Sequence, residues 1–170
     1  MTVETEFLTF SAGKLMQLMD RIDTCVQKLT PEQIWMRSGT NQNTVGNLML
    51  HLDGNVRQWI LHGVGGQADL RDRDSEFAAQ DGAGADKLRG SLRATVEEAG
   101  ALLQALPAGR LMEHTQNQGC DCTVLAAIYH VVEHFAGHTF QIIYANKFAT
   151  GEDLGFYAHL SGAQPPDDLP

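Results

Sequence analysis

His130-Val131-Val132-Glu133-His134-Phe135-Ala136-Gly137-His138-Thr139-Phe140-Gln141-Ile142 carries three histidines at four-residue spacing inside an apolar helical repeat. Residues four apart stand one above the other on a helix, about 6 Å along its axis, so adjacent imidazoles can share one metal ion. His130 and His138 are too far apart to do so, and the choice lies between His130 with His134 and His134 with His138. At about 100° per residue, the apolar arc formed by Val131, Ile142, Phe135, Ile128 and Val132 is centred roughly 80° from His138, 120° from His134 and 160° from His130. A metal held between helices takes its ligands from the edge of the buried face. That favours His134 with His138, and leaves His130 as a neighbour of the site or an exposed side chain.

Working outward, Thr123 offers an N-cap for this last helix, which should end before Gly151. A first helix is expected from Glu4 to Leu29, where apolar residues recur at three- and four-residue steps. Thr30-Pro31-Glu32-Gln33 reads as a capped extra turn. Thr44 caps a second long helix running to about Leu61 or His62, stopped by Gly63-Val64-Gly65-Gly66. Gln67 to Gly84 reads as a polar loop, and Ala85 to Leu106 as a third long helix ended by Pro107. Gly109 to Asp121 is expected to be irregular or a short extended excursion. The fold class is therefore all-α, a four-helix bundle with long inter-helix loops. Residues 1–157 are expected to form one domain, and 158–170, rich in proline, an irregular tail.

The second long helix repeats the arrangement of the last. Val45, Leu48, Leu52, Val56 and Trp59 make its apolar arc, and His51 stands roughly 120° from the centre, as His134 does. Asn55 shares the His51 face. His62 lies about 16 Å further down the axis, out of reach of the same coordination sphere, and suits the helix C-terminus as a histidine set against the dipole. Spacing alone does not separate metal ligands from packed histidines.

The segments Asn47-Leu48-Met49-Leu50-His51-Leu52-Asp53-Gly54-Asn55 and His130 to Ile142 resemble the two signature stretches of the DinB/YfiT-like superfamily, and the order and length of the helices match over nearly the whole chain. The loop Arg71-Asp72-Arg73-Asp74-Ser75-Glu76-Phe77 is similar to that of an uncharacterised subgroup. The resemblance implies a divalent metal, zinc or nickel, held by His51, His134 and His138. It implies a thiol-dependent S-transferase, in which the metal activates a low-molecular-weight thiol toward an electrophilic small molecule, and a homodimer, for which Trp35, Trp59 and Tyr157 are candidate interface residues. Phe140 departs from the glycine that many members carry before the glutamine, which bears on the substrate. Three imidazoles leave a coordination position open, the pattern of a catalytic rather than a structural zinc. Asn55, His130 and Gln141 are candidates to surround the metal, and Arg71 and Arg73 to bind carboxylates of thiol or substrate. Metal-dependent hydrolysis is the competing reading, weakened because Glu133 points about 100° away from His134 and no other acid lies one turn from the ligands. A stress-related dimer with a structural metal is the third.

Composition narrows the field. A net charge of −9 and pI near 5.1 disfavour nucleic acid, whose binders replace phosphate counterions with Lys and Arg. No apolar run is long enough to cross a membrane, and the N-terminal stretch lacks the basic and apolar regions of a signal peptide, so a cytoplasmic protein is expected. The cysteines number three. Cys120 and Cys122 are too close in sequence for an ordinary disulfide and lack the Cys-x-x-Cys spacing that would make them, with His114, a second metal or redox site.

Overall fold

Three of the four long helices begin at a threonine whose hydroxyl accepts a backbone N–H of the first turn: Thr2 before α1 (Val3–Val26), Thr44 before α3 (Val45–Val56) and Thr123 before α6 (Val124–Thr150). The fourth, α5 (Ala85–Ala105), starts from Gly84 without such a cap. A one-turn helix, α2 (Pro31–Ile34), carries the capping box expected of Thr30 and Gln33. The structure is a computed structural model and describes residues 2–81 and 84–161. The expected tail lies outside the described residues from 162 onward, and 158–161 form a 3₁₀ turn.

α1 packs on α5 and α6, and α3 packs on the same two helices, so the four stand in the cyclic order α1, α5, α3, α6. Their apolar faces merge in one core, with Leu15, Met19 and Ile22 of α1, Leu52 and Val56 of α3, Leu92, Val96 and Leu103 of α5, and Ile128, Val131, Phe135 and Ile142 of α6 withdrawn from solvent. This is the four-helix bundle that the periodicities predict. Trp59 is buried and Trp35 lies half-buried against Gly46, so the core claims both of these candidate interface residues, whereas Tyr157 is exposed. α6 stops where anticipated, at Gly151, whose φ of 70° is left-handed backbone natural to glycine.

Two departures matter for the site. α3 does not end as a regular helix. Residues Arg57–His62 continue it with π-helical winding, as in the bond from Gly63 N to Gln58 O at 3.0 Å. The wider turn lets three consecutive residues, Trp59, Ile60 and Leu61, all lie buried. The second departure is α4 (Arg73–Ala78), inside the segment read as loop. Its signal was weak because a six-residue helix with a single buried side chain, Glu76, has no apolar periodicity. Residues 108–112 form a 3₁₀ turn, and the excursion after it is a hairpin of β1 (His114–Asn117) and β2 (Cys120–Thr123).

Asn47 ties α4 to α3. Fully buried, its Oδ1 accepts from Thr44 N, Thr44 Oγ1 and Arg37, while its Nδ2 donates to the carbonyls of Glu76 and Ala79 at 2.9 and 2.8 Å. Arg37 donates to the carbonyls of Phe77 and Ala79 as well. Asn47→Ala strands several of these partners, each costing about 1–3 kcal/mol where it stays buried. We expect chemical denaturation to show a loss of about 2–4 kcal/mol, with hydrogen exchange accelerated first in residues 76–79.

Candidate metal centre

His51 projects from the middle of α3, and His134 and His138 project one turn apart from α6, across the α3–α6 contact. Their ligand nitrogens all lie within 4.8 Å of one another. His51 Nε2 and His134 Nε2 are 2.9 Å apart, and the His134 and His138 rings meet edge to face with centroids 4.4 Å apart. Among the described residues this is the group of His, Cys, Asp or Glu side chains placed to share one ion.

On two of the three rings, His51 and His138, the partner of the outer nitrogen shows which inner nitrogen is available. Glu76 Oε2 lies 2.9 Å from His51 Nδ1. A carboxylate only accepts, so Nδ1 carries the proton and Nε2 keeps its lone pair. His138 Nδ1 donates to Gln141 Oε1 at 2.8 Å, which again leaves Nε2 as the free lone pair. The donor set therefore fits a divalent cation: three imidazoles from two helices, with His51 and His138 directed by hydrogen bonds on their outer edges.

The surroundings favour the neutral ring at His134 and His138. Burial, then the nearby His138, His51 and His130 and the Arg71 guanidinium, bring the His134 pKa down to about 4. Burial lowers that of His138 too, with Gln141 opposing and His51 reinforcing the shift.

The structure also places a carboxylate that sequence reading missed. Burial pushes the Glu76 pKa upward, but hydrogen bonds from Arg71 and His51, with the Arg71 charge, outweigh it and hold the carboxyl below its ordinary range. Arg71 Nε donates to Glu76 Oε1 at 2.7 Å and its NH2 group to Oε2 at 2.8 Å, a two-pronged grip. The other amino group of Arg71 donates to Gln58 Oε1 at 2.9 Å, within the π-helical turn. The side chains of Arg71, Glu76 and His51 are only 2%, 8% and 7% exposed. α4 approaches α3 this closely because residue 54 is glycine: a Cβ there would collide with Glu76 Oε1 and stand 2.9 Å from Arg71 Nε.

The remaining candidates fall out unevenly. Arg71, expected to bind a carboxylate of thiol or substrate, is instead buried and occupied by the chain's own Glu76. Arg73 is exposed and lies over the Phe77 ring at 4.9 Å, and that ring meets His51 at 4.8 Å. His130 neighbours the site, half-buried, with its ring 4.3 Å from Trp59 and 5.5 Å from His134. Asn55 is buried one turn beyond His51, and its Oδ1 has no hydrogen-bond partner among the described residues. His62 donates from Nδ1 to the Gln67 carbonyl at 2.6 Å, apart from the three histidines. His114 pairs with Asp121 on the hairpin at 2.9 Å.

The His134 shift, with that of His138 in the same direction, contributes a pH dependence to the stability of the metal-free protein. The folded pKa of His134, about 4, lies below the ordinary 6.5, so between these values the unfolded chain takes up a proton that the folded chain refuses. Stability is fully present above 6.5, declines as pH falls toward 4, and loses nothing further from this group below that. The lowered carboxyl of Glu76 adds its own loss at still lower pH, from about its usual 4.5 downward. Denaturant melts of chelator-treated protein from pH 7.5 to 4 check this, and His134→Gln is expected to flatten the upper part of the slope.

Comparison with known proteins agrees with the fold and is silent on activity. None of the proteins of curated function matches the sequence. A solved structure described as the conserved protein of locus from Enterococcus faecalis superposes with a TM-score of 0.74 at 17% identity, covering 89% of this chain and 99% of that one. At that identity the likeness establishes the architecture alone. Residues 2–161 match the family described as protein of unknown function DUF1572, which has a DinB-like fold, and the chain belongs to that family.

Proposed function

We propose that this protein is a divalent-metal-dependent enzyme of the thiol-dependent S-transferase type, using a low-molecular-weight thiol as nucleophile against an electrophilic small molecule. The observation that carries the reading is the convergence of three histidine nitrogens within 4.8 Å, without a carboxylate or cysteine among them. A neutral three-nitrogen set leaves the cation's charge uncompensated and at least one position for an exogenous ligand. A cation held there would favour the deprotonated form of a coordinating thiol while leaving it nucleophilic.

The chain's own groups speak against the hydrolytic alternative, which wants a carboxylate base facing the ion. Glu76 is the buried acid nearest the histidines, but it bonds the Nδ1 edge of His51, on the far side of the ring from Nε2, and Arg71 grips both its oxygens. Glu133 is exposed. A thiolate needs no such base. Cysteines of this chain do not substitute for the external thiol: Cys25 is buried in the core, where burial raises its pKa to about 11, and Cys120 and Cys122 sit on β2 outside the histidine group. With Arg71 occupied, Arg73 is the guanidinium next to the site that we assign to an anionic group of thiol or substrate.

Two outcomes test the reading. His51→Ala, His134→Ala and His138→Ala should each lower zinc or nickel affinity at least tenfold, by the order of magnitude typical of losing one determinant of a site, whereas His130→Ala and His62→Ala should retain it. Metal-loaded protein offered electrophiles with and without a panel of small thiols should turn over only when a thiol is present, with His134→Ala as the blank. Hydrolysis of an ester or amide without any thiol would overturn the transferase reading in favour of the hydrolase.

A further inference from the structure

We propose that Glu76 is the positioning residue of the metal centre: by accepting from His51 Nδ1–H it fixes the tautomer that presents the Nε2 lone pair to the cation, with Arg71 holding the carboxylate in place. The inference rests on the metal reading above and assigns it a residue outside the ligand set.

Three independent features of the chain converge on this contact. The first is geometric, since Glu76 Oε2 lies 2.9 Å from His51 Nδ1 with both side chains buried. Arg71 NH2 is also near His51 Nδ1, at 3.1 Å. Arginine has no acceptor, so if Nδ1 accepted from it, Glu76 would face a lone pair at 2.9 Å. The carboxylate therefore decides the tautomer and the arginine decides where the carboxylate sits.

The second is the way α4 is held. Asn47 and Arg37 bond the carbonyls of Glu76, Phe77 and Ala79, so the backbone carrying the carboxylate is fixed to the helix carrying the histidine. The third is Gly54, one turn along α3 from His51, where any side chain would occupy the position of the Glu76 oxygen. A buried ionic pair of this kind is poor evidence for stability in itself, because desolvation offsets its attraction. Its directional effect is on the ring it touches. A carboxylate behind a ligating imidazole orients the ring and raises its donor strength, and losing such a partner costs about 10–100-fold in metal affinity.

Glu76→Gln and Gly54→Ala probe the contact from two sides. The first preserves size but brings an amide whose N–H can donate to Nδ1 and favour the opposite tautomer. The second leaves the glutamate intact and displaces its oxygen. Zinc affinity is measured by chelator competition on folded protein, and the His51 tautomer by ¹⁵N imidazole shifts in metal-free protein, a readout that a role confined to anchoring α4 would not move. We expect the wild-type His51 to carry its proton on Nδ1, and both variants to lose that preference together with about 10–100-fold in zinc affinity. Unchanged tautomer and unchanged affinity in folded Glu76→Gln would overturn the proposal. If wild-type protein binds no zinc or nickel, the metal reading itself fails, and the tautomer of the metal-free protein still decides whether Glu76 directs the ring.

Discussion

The contact between α3 and α6 sets the terms for everything around it. Crossing there, the two helices bring His51 Nε2 within 2.9 Å of His134 Nε2 and set His138 edge-on to both rings. Two ring nitrogens that close either share a proton or turn both lone pairs on a cation, and charging all three rings at once would set like charges against one another. Neighbouring groups prepare the second arrangement: Gln141 accepts from His138, Glu76 accepts from His51, and burial holds the His134 pKa down to about 4. A cluster so arranged is poor as a set of acids and bases near neutral pH and well suited to donating lone pairs to a cation.

The same contact accounts for the less regular parts of the chain. α4 brings the carboxylate behind His51, and Gly54 leaves room for it. The π-helical turn supplies Gln58, which takes the remaining hydrogen bond of Arg71 and also accepts from Gln118 at the tip of the hairpin. His51, Glu76, Arg71 and Gln58 thus form one bonded chain from the histidine group through the outer segment to the end of α3. Irregular winding of this kind is often found where a helix serves a site rather than the core alone.

Much of this was legible in the residues. The threonine caps, the apolar repeats and Gly151 marked the long helices, because each has a local cause that the chain carries with it. The helical wheel set His134 and His138 apart from His130, since the edge of a buried face is a property of one helix. Glu76 was not legible. It lies in a stretch that reads as a polar loop, and its partner is 25 residues away on another helix, a pairing that no local period encodes. For the same reason Arg71 looked available to a ligand: a buried arginine and an exposed one have the same local sequence, and only the fold shows which carboxylate comes to it. The π-helical turn was hidden because its residues satisfy an ordinary helical pattern well enough.

On the function proposed above, three imidazoles and no other protein group hold the ion. X-ray absorption at the metal edge of zinc- or nickel-loaded protein measures this directly. The expected result is a first shell with three imidazole nitrogens, at about 2.0–2.1 Å for zinc, and with the rest of the coordination made by a light atom that exchanges for sulfur when a small thiol is added. A sphere closed by a fourth protein ligand, or one with fewer than three imidazoles, would contradict it.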